Sequence, residues 1–404
     1  MSQTAYVEIA GGITSPLGFT AAGAVGAIKY ERKDVALVYS DREAAAAGVF
    51  TTNIVKAAPV LLTMEHIKDG KARAVVANSG NANACVGPQG LEDARAMAGE
   101  AAQQLGLAAE QVLVASTGVI GQPLPMDRVL SGVRQAAAQL SREGGHDAAI
   151  AIMTTDTVAK EAAVTVELGG VQVTIGGMAK GSGMIHPNMA TMLCFITTDA
   201  AINSDLLHQA LTGAVERTFN MITVDGDTST NDMVLVLANG AAGNRPISGE
   251  DADYAAFGAA LEAVCRKLAI ACAADGEGAT RLLEVRVHGA ATRQDARLVA
   301  RAVASSSLVK AAVFGKDANW GRIICAAGYS GASFNPDVVD IFVGDIQVAK
   351  NGGALAFNEE KATGMLSGRQ VIFTIDLHNG EHSATAWGCD LTYDYVRING
   401  SYRT

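Results

Sequence analysis

The chain has 404 residues, 31 Lys plus Arg against 41 Asp plus Glu, and a formal net charge of −10. Hydrophobic residues make up 49% and charged residues 18%, which is enough apolar material for a sizeable core and excludes a disordered chain. The acidic balance argues against a nucleic-acid partner, which requires a basic stripe, and no apolar run is long enough for an ordinary membrane-spanning helix.

On a domain size of roughly 150 residues the length suggests two or three domains. Met1–Ala10 has neither a basic start nor a long apolar run, so no secretory signal is read and a cytoplasmic location is expected. Asp34–Ser40 and Arg73–Ala77 read as buried strands, short apolar runs between polar residues. Leu91–Leu105 reads as a helix with Leu91, Ala94, Ala98, Ala101, Ala102 and Leu105 on one stripe. Gln111–Ala115 is a further strand, running into a turn at Ser116-Thr117-Gly118. Ala162–Leu168 and Val171–Ile175 alternate in polarity around Gly169-Gly170 and read as a hairpin with a two-residue turn.

A glycine-rich, irregular stretch from Gly176 to Ala190 follows, then a strand over Thr191–Thr198. Ser204 is read as the cap of a helix that ends at Thr218. Met233–Ala238 is a strand and Asp251–Ala271 a helix. From Leu282 the texture changes to strands at Leu282–Val287, Val338–Val343, Gln370–Leu377 and Ala384–Tyr393, with one helix around Asp295–Lys310. This predicts a smaller C-terminal α/β lobe over 282–404. The six cysteines are spread singly, so neither a disulfide framework nor a zinc site is expected, and no metal is implied.

Several motifs fail. Gly177–Ser182 looks like a phosphate loop, but its lysine precedes the glycine. Asp225–Val236 has the acidic spacing of a calcium loop without its glycine at the sixth position or its glutamate at the twelfth. Ser307–Lys310 matches SxxK with no partner motif. His186 reads as structural. What remains is Gly176–Thr198: a flexible approach carrying Lys180, then Pro187, then Thr191 opening a buried strand. Two polar residues at a strand edge are one reading. The other is a threonine whose hydroxyl attacks the preceding carbonyl and whose freed amine then serves as a base. Composition does not decide between them.

The run Met178–Thr191 (MAKGSGMIHPNMAT) resembles the signature of the ornithine acetyltransferases, or glutamate N-acetyltransferases, of arginine biosynthesis. Gly12–Gly18, Asn78–Cys85, Ser116–Gly121, Asn220–Asp232, Ala274–Arg281, Phe314–Arg322 and Ile398–Thr404 match the same family in order, so the resemblance spans nearly the whole chain. It implies a DmpA-like layered α/β sandwich. It also implies self-cleavage between Ala190 and Thr191, into chains spanning 1–190 and 191–404.

Thr191 would be the nucleophile that takes the acetyl group of N2-acetylornithine and hands it to glutamate. Thr117 and Gly118 would stabilise the oxyanion, and Thr154, Lys180, Thr191, Glu277, Asn399 and Thr404 would contact substrate. Lys180 suits a carboxylate and Glu277 an ammonium. The resemblance implies no cofactor, leaves acetyl-CoA open as a co-substrate, and implies a heterotetramer of two chains of each kind.

Two other readings carry their own signatures. An N-terminal-nucleophile amidase or aminopeptidase would use water as acceptor and release acetate without glutamate. A non-catalytic amino-acid-binding protein would bind ornithine without exchanging acetyl groups.

Overall fold

A computed structural model describes residues 6–186 and 192–401. Its first half opens with β1 (Tyr6–Ile9), β2 (Phe19–Ala24), β3 (Val35–Phe50), α1 (Ala58–His66), β4 (Lys71–Asn81), α2 (Gln89–Leu105) and β5 (Val112–Val119). Helices α3 (Met126–Ala138) and α4 (Gly145–Ala151) lead to β6 (Lys160–Leu168) and β7 (Val171–Lys180). Then come β8 (Leu193–Thr198), α5 (Ser204–Arg217), β9 (Met233–Ala238) and α6 (Ala252–Ala274). These nine strands form one mixed sheet in the order β1-β6-β7-β8-β9-β3-β4-β5, with β2 also paired to β3.

Beyond α6 the chain runs through β10 (Leu282–Ala290), α7 (Arg293–Ser305), α8 (Ser307–Gly315), α9 (Trp320–Gly328), β11 (Asp340–Val343) and β12 (Ile346–Lys350). It finishes with β13 (Gly353–Ala354), α10 (Glu359–Met365), β14 (Gln370–Asp376), β15 (His382–Cys389) and α11 (Tyr393–Ser401). The second sheet, β13-β12-β11-β14-β10-β15, draws on these later strands alone.

The layering follows from where the apolar faces go. Val164, Val173, Ile175, Ile196, Val234 and Val236 of the first sheet share a core with Leu207 and Leu211 of α5 and with Leu261 and Leu268 of α6. Val285, Phe373 and Ile375 of the second sheet join the same core. The helices are thus sandwiched between two sheets. The opposite face of the first sheet, with Val38, Val75, Leu113, Phe195 and Leu235, packs on Ala148, Ala149 and Ile152.

The hairpin turn at Gly169 and Gly170 has φ of 57° and 82°, the left-handed geometry that a tight two-residue turn demands. Several expected boundaries move. The strand read at Asp34–Ser40 runs on to Phe50; its register slips between Tyr39 and Ala44, so its first half pairs with β2 and its second with β9. Gly176–Lys180, read as irregular, continues β7. A Cβ at Gly176 would sit 2.0 Å from the carbonyl oxygen of Gly12, so glycine there serves close packing and not looseness.

The cap of α5 is Asn203, whose side chain accepts the Asp205 N–H, and not Ser204. The helix read at Asp295–Lys310 is two, bent by 56° where Ser306 caps α8. The last strand stops at Cys389 because the Asp390 carboxylate takes the N–H groups of Thr280 and Arg281, and Tyr393 begins a helix. Cys194, Cys265, Cys272 and Cys389 are buried, and Cys85 and Cys325 are exposed. Among the described residues no single helix is long and apolar enough to cross a membrane.

Candidate active site

One cavity of about 220 Å³ opens where the ends of β5, β7, β8 and β9 meet α11. Thr117, Gly118, Thr154, Lys180, Glu277 and Asn399 all line it, although 282 positions separate the first from the last (399 − 117). Met192, the residue bonded to Thr191, lines it too. Ala190, Thr191 and Thr404 lie outside the described residues.

Thr117 and Gly118 do not form a turn. Strand β5 runs through both to Val119, and Gly118 pairs with Gly80 of β4 beside an irregularity at Asn81. Gly118 has φ of 134°, and a Cβ there would lie 2.3 Å from the Gly80 carbonyl carbon. Only glycine allows this approach. Behind it Asn231 donates to the carbonyls of Ser116 at 2.8 Å and Ala82 at 2.6 Å, and Ser116 donates to Asn78 Oδ1 at 2.6 Å. The segment Asn78–Cys85 thus acts as a rigid backing for the Thr117-Gly118 strand end.

Lys180 is the last residue of β7 and pairs in register with Leu193, the first of β8. Its side chain is buried, its Nζ donates to Thr117 Oγ1 at 3.3 Å, and Asp156 Oδ2 stands 4.0 Å away. Burial alone would raise the Asp156 carboxyl, but Lys180, Lys160 and the Thr154 N–H outweigh it and hold it near 2. Glu277 sits in the loop after α6, its backbone N–H on Ser182 O at 2.8 Å and its Oε2 accepting from Asn399 Nδ2 at 2.8 Å. The latter bond brings the exposed helix α11 over the cavity, and Thr392 Oγ1, donating to Gly278 O at 2.7 Å, anchors its start. A cation at Lys180 and an anion at Glu277 suit a small zwitterionic or diamino substrate with one end on each.

Residues missed in the sequence complete the wall. Asp225, read only as part of a failed calcium loop, accepts the N–H groups of Met184 at 2.6 Å and Ile185 at 2.8 Å, and burial raises its carboxyl. Asp232 also lines the cavity. It is buried, with Oδ2 unpartnered among the described residues, and burial pushes its carboxyl well above the usual range. Both lie within the Asn220–Asp232 match, but nothing local marks Asp225 as part of the wall, because Met184 and Ile185 lie about 40 residues away. His186 is structural as read: its ring faces Thr223 Oγ1 and Arg301, both at 3.1 Å, and burial lowers it to about 4. Among the described residues no group of three His, Cys, Asp or Glu is placed to hold a metal ion.

The fold and cavity define a layered α/β protein with its polar site at the sheet ends. The model of the ArgJ family matches residues 20–404, and the chain belongs to that family. It is 63% identical over 399 residues to the arginine biosynthesis bifunctional protein ArgJ of Symbiobacterium thermophilum, covering 98% of this chain and 99% of that one. It is 54% identical to the protein of the same name from Caldanaerobacter subterraneus, covering 98% and 99%. The crystal structure of the Bacillus halodurans arginine biosynthesis bifunctional protein ArgJ aligns with a TM-score of 0.51 at 52% identity. That alignment covers 52% of this chain and 98% of the matched one.

Proposed function

We propose that this chain is a self-processing acetyltransferase of arginine biosynthesis. It cuts itself between Ala190 and Thr191 into chains of 190 and 404 − 190 = 214 residues. Thr191 then carries the acetyl group from N2-acetylornithine to glutamate, releasing ornithine and N-acetylglutamate. The observation that carries this reading is the convergence of Thr117, Gly118, Thr154, Lys180, Glu277 and Asn399 on one cavity with Met192. The names of the relatives place them in arginine biosynthesis. The Bacillus halodurans chain adds support: it matches over nearly its full length, yet its 52% of 404 is about 210 residues, close to one product of the proposed cut.

Each part has a physical task. A threonine hydroxyl is a weak nucleophile, and an α-amine with a reference pKa near 8 is a competent neighbouring base once the peptide bond before it is gone. Attack on the acetyl carbonyl puts negative charge on oxygen, which the Thr117 hydroxyl and the Gly118 N–H stabilise. Lys180 takes the substrate carboxylate and Glu277 the distal ammonium of acetylornithine, with Thr154, Asn399 and Thr404 closing around them. Ornithine leaves before glutamate enters, so both use one site in turn.

The relatives are named bifunctional, and we extend the proposal to acetyl-CoA as a second donor. The working unit is two of each chain, in the cytoplasm, and no step requires a metal or cofactor. Labelled acetylornithine incubated with glutamate tests the reading. Label is expected in N-acetylglutamate in proportion to ornithine released. Acetate release at the same rate without glutamate would point to an amidase instead.

A further inference from the structure

Beside the cavity lies a buried ion cluster that does not line it. Lys160, the first residue of β6, donates to Asp156 Oδ1 and Asp275 Oδ2, each at 2.6 Å. The side chains of Lys160, Asp156 and Asp275 are 1%, 0% and 9% exposed. Charges so buried are stable only as a set, since removing one leaves another uncompensated.

Each carboxylate is tied to a segment bearing a substrate-contact residue. Asp156 accepts the N–H of Thr154 at 3.0 Å and that of Gly181, next to Lys180, at 2.7 Å. Asp275 accepts the Thr157 N–H at 3.0 Å and stands two residues before Glu277. Lys160 is therefore bonded to both the Lys180 side and the Glu277 side of the site, and the Glu277 N–H on Ser182 O is a second tie between them.

We propose that Lys160, with Asp156 and Asp275, is a positioning device that fixes the span between Lys180 and Glu277 and so selects the chain length of the diamino acid. The inference rests on Lys180 holding the carboxylate and Glu277 the distal ammonium. Lengthening or shortening the substrate by one methylene then leaves one end unpaired unless the two residues move. A rigid site discriminates one methylene by about 10- to 200-fold, and a site freed from its clamp loses that selectivity.

The test compares kcat/KM for N2-acetylornithine, N2-acetyllysine and N2-acetyl-2,4-diaminobutyrate, with glutamate as acceptor. It uses the wild type, Asp275→Asn, and the charge-balanced pair Lys160→Met with Asp275→Asn. The preference for acetylornithine over its homologues is expected to fall at least 10-fold in the pair, through KM more than kcat. Asp275 is the most exposed member of the cluster, so Asp275→Asn alone carries the test if the pair does not fold, with a smaller shift in the same direction. Equal losses on all three substrates, with the preference intact, would reduce the cluster to a structural role and overturn the inference. A wild type inactive on all three would instead overturn the acetyltransferase reading beneath it.

Discussion

Lys180 Nζ donates to Thr117 Oγ1 at 3.3 Å, joining the ends of two strands that are not neighbours in the sheet. A threonine hydroxyl has one proton and two lone pairs. By accepting from Lys180, Thr117 is left to donate its own proton elsewhere, into the cavity it lines. Thr117→Val keeps the shape and removes that donor. It is expected to lower kcat for acetyl exchange by about 10²- to 10³-fold, the usual cost of one oxyanion donor. Thr117→Ser should retain most of the rate. Steady-state kinetics on purified variants checks both.

Gly118→Ala tests the strand-end geometry. Its Cβ would meet the Gly80 backbone at 2.3 Å, and a backbone cannot rotate away as a side chain can. The expected result is a loss of about 1 to 3 kcal/mol in stability, read as a lowered denaturation midpoint, together with lost activity. A variant as stable and as active as the wild type would show that the strand end is looser than described.

Asp232 carries a stability cost that can be measured. Its carboxyl is raised in the fold, so above the ordinary value of about 3.9 the folded chain holds a proton that the unfolded chain has released. Folding then binds protons, and stability falls as pH rises. Asp232→Asn removes that dependence. It should raise the thermal midpoint at pH 7 to 8, with the gain fading towards pH 4. Calorimetry across that range reads it directly.

His186 works in the opposite sense. Burial, then the nearby Arg301, lower it to about 4, against 6.5 in an unfolded chain. As pH falls from 6.5 towards 4 the unfolded chain gains the proton first, so stability drops through that window. His186→Gln should flatten the slope there while costing stability above pH 7, where the bond to Thr223 is lost. Denaturant titrations at pH 7.5, 6 and 5 distinguish the two chains.

Much of the secondary structure was legible because its signals are local. Gly169-Gly170 between alternating runs marks a hairpin at any position, and Met233–Ala238 reads to the residue because all six side chains are buried apolar groups between polar ends. Boundaries failed where a distant partner decides them. Nothing near Gly176 reveals the Gly12 carbonyl packed against it, and nothing near Asp390 reveals that it caps a segment 110 residues earlier.

The site divides in the same way. Thr117, Lys180, Glu277 and Asn399 were reached through a family resemblance, since each alone is an ordinary polar residue. Lys160 and Asp275 were not read as site residues, being 115 positions apart and joined only by the fold.

Thr191→Ala removes the proposed nucleophile and the proposed cleavage residue in one change. Intact mass and acetyl exchange are measured on the purified wild type and variant. The wild type should give two chains, of 190 and 214 residues (404 − 190), and transfer acetyl from acetylornithine to glutamate. The variant should remain one inactive chain of 404 residues. A wild type that stays in one piece yet transfers acetyl groups, or a Thr191→Ala chain that still does, would contradict the threonine mechanism.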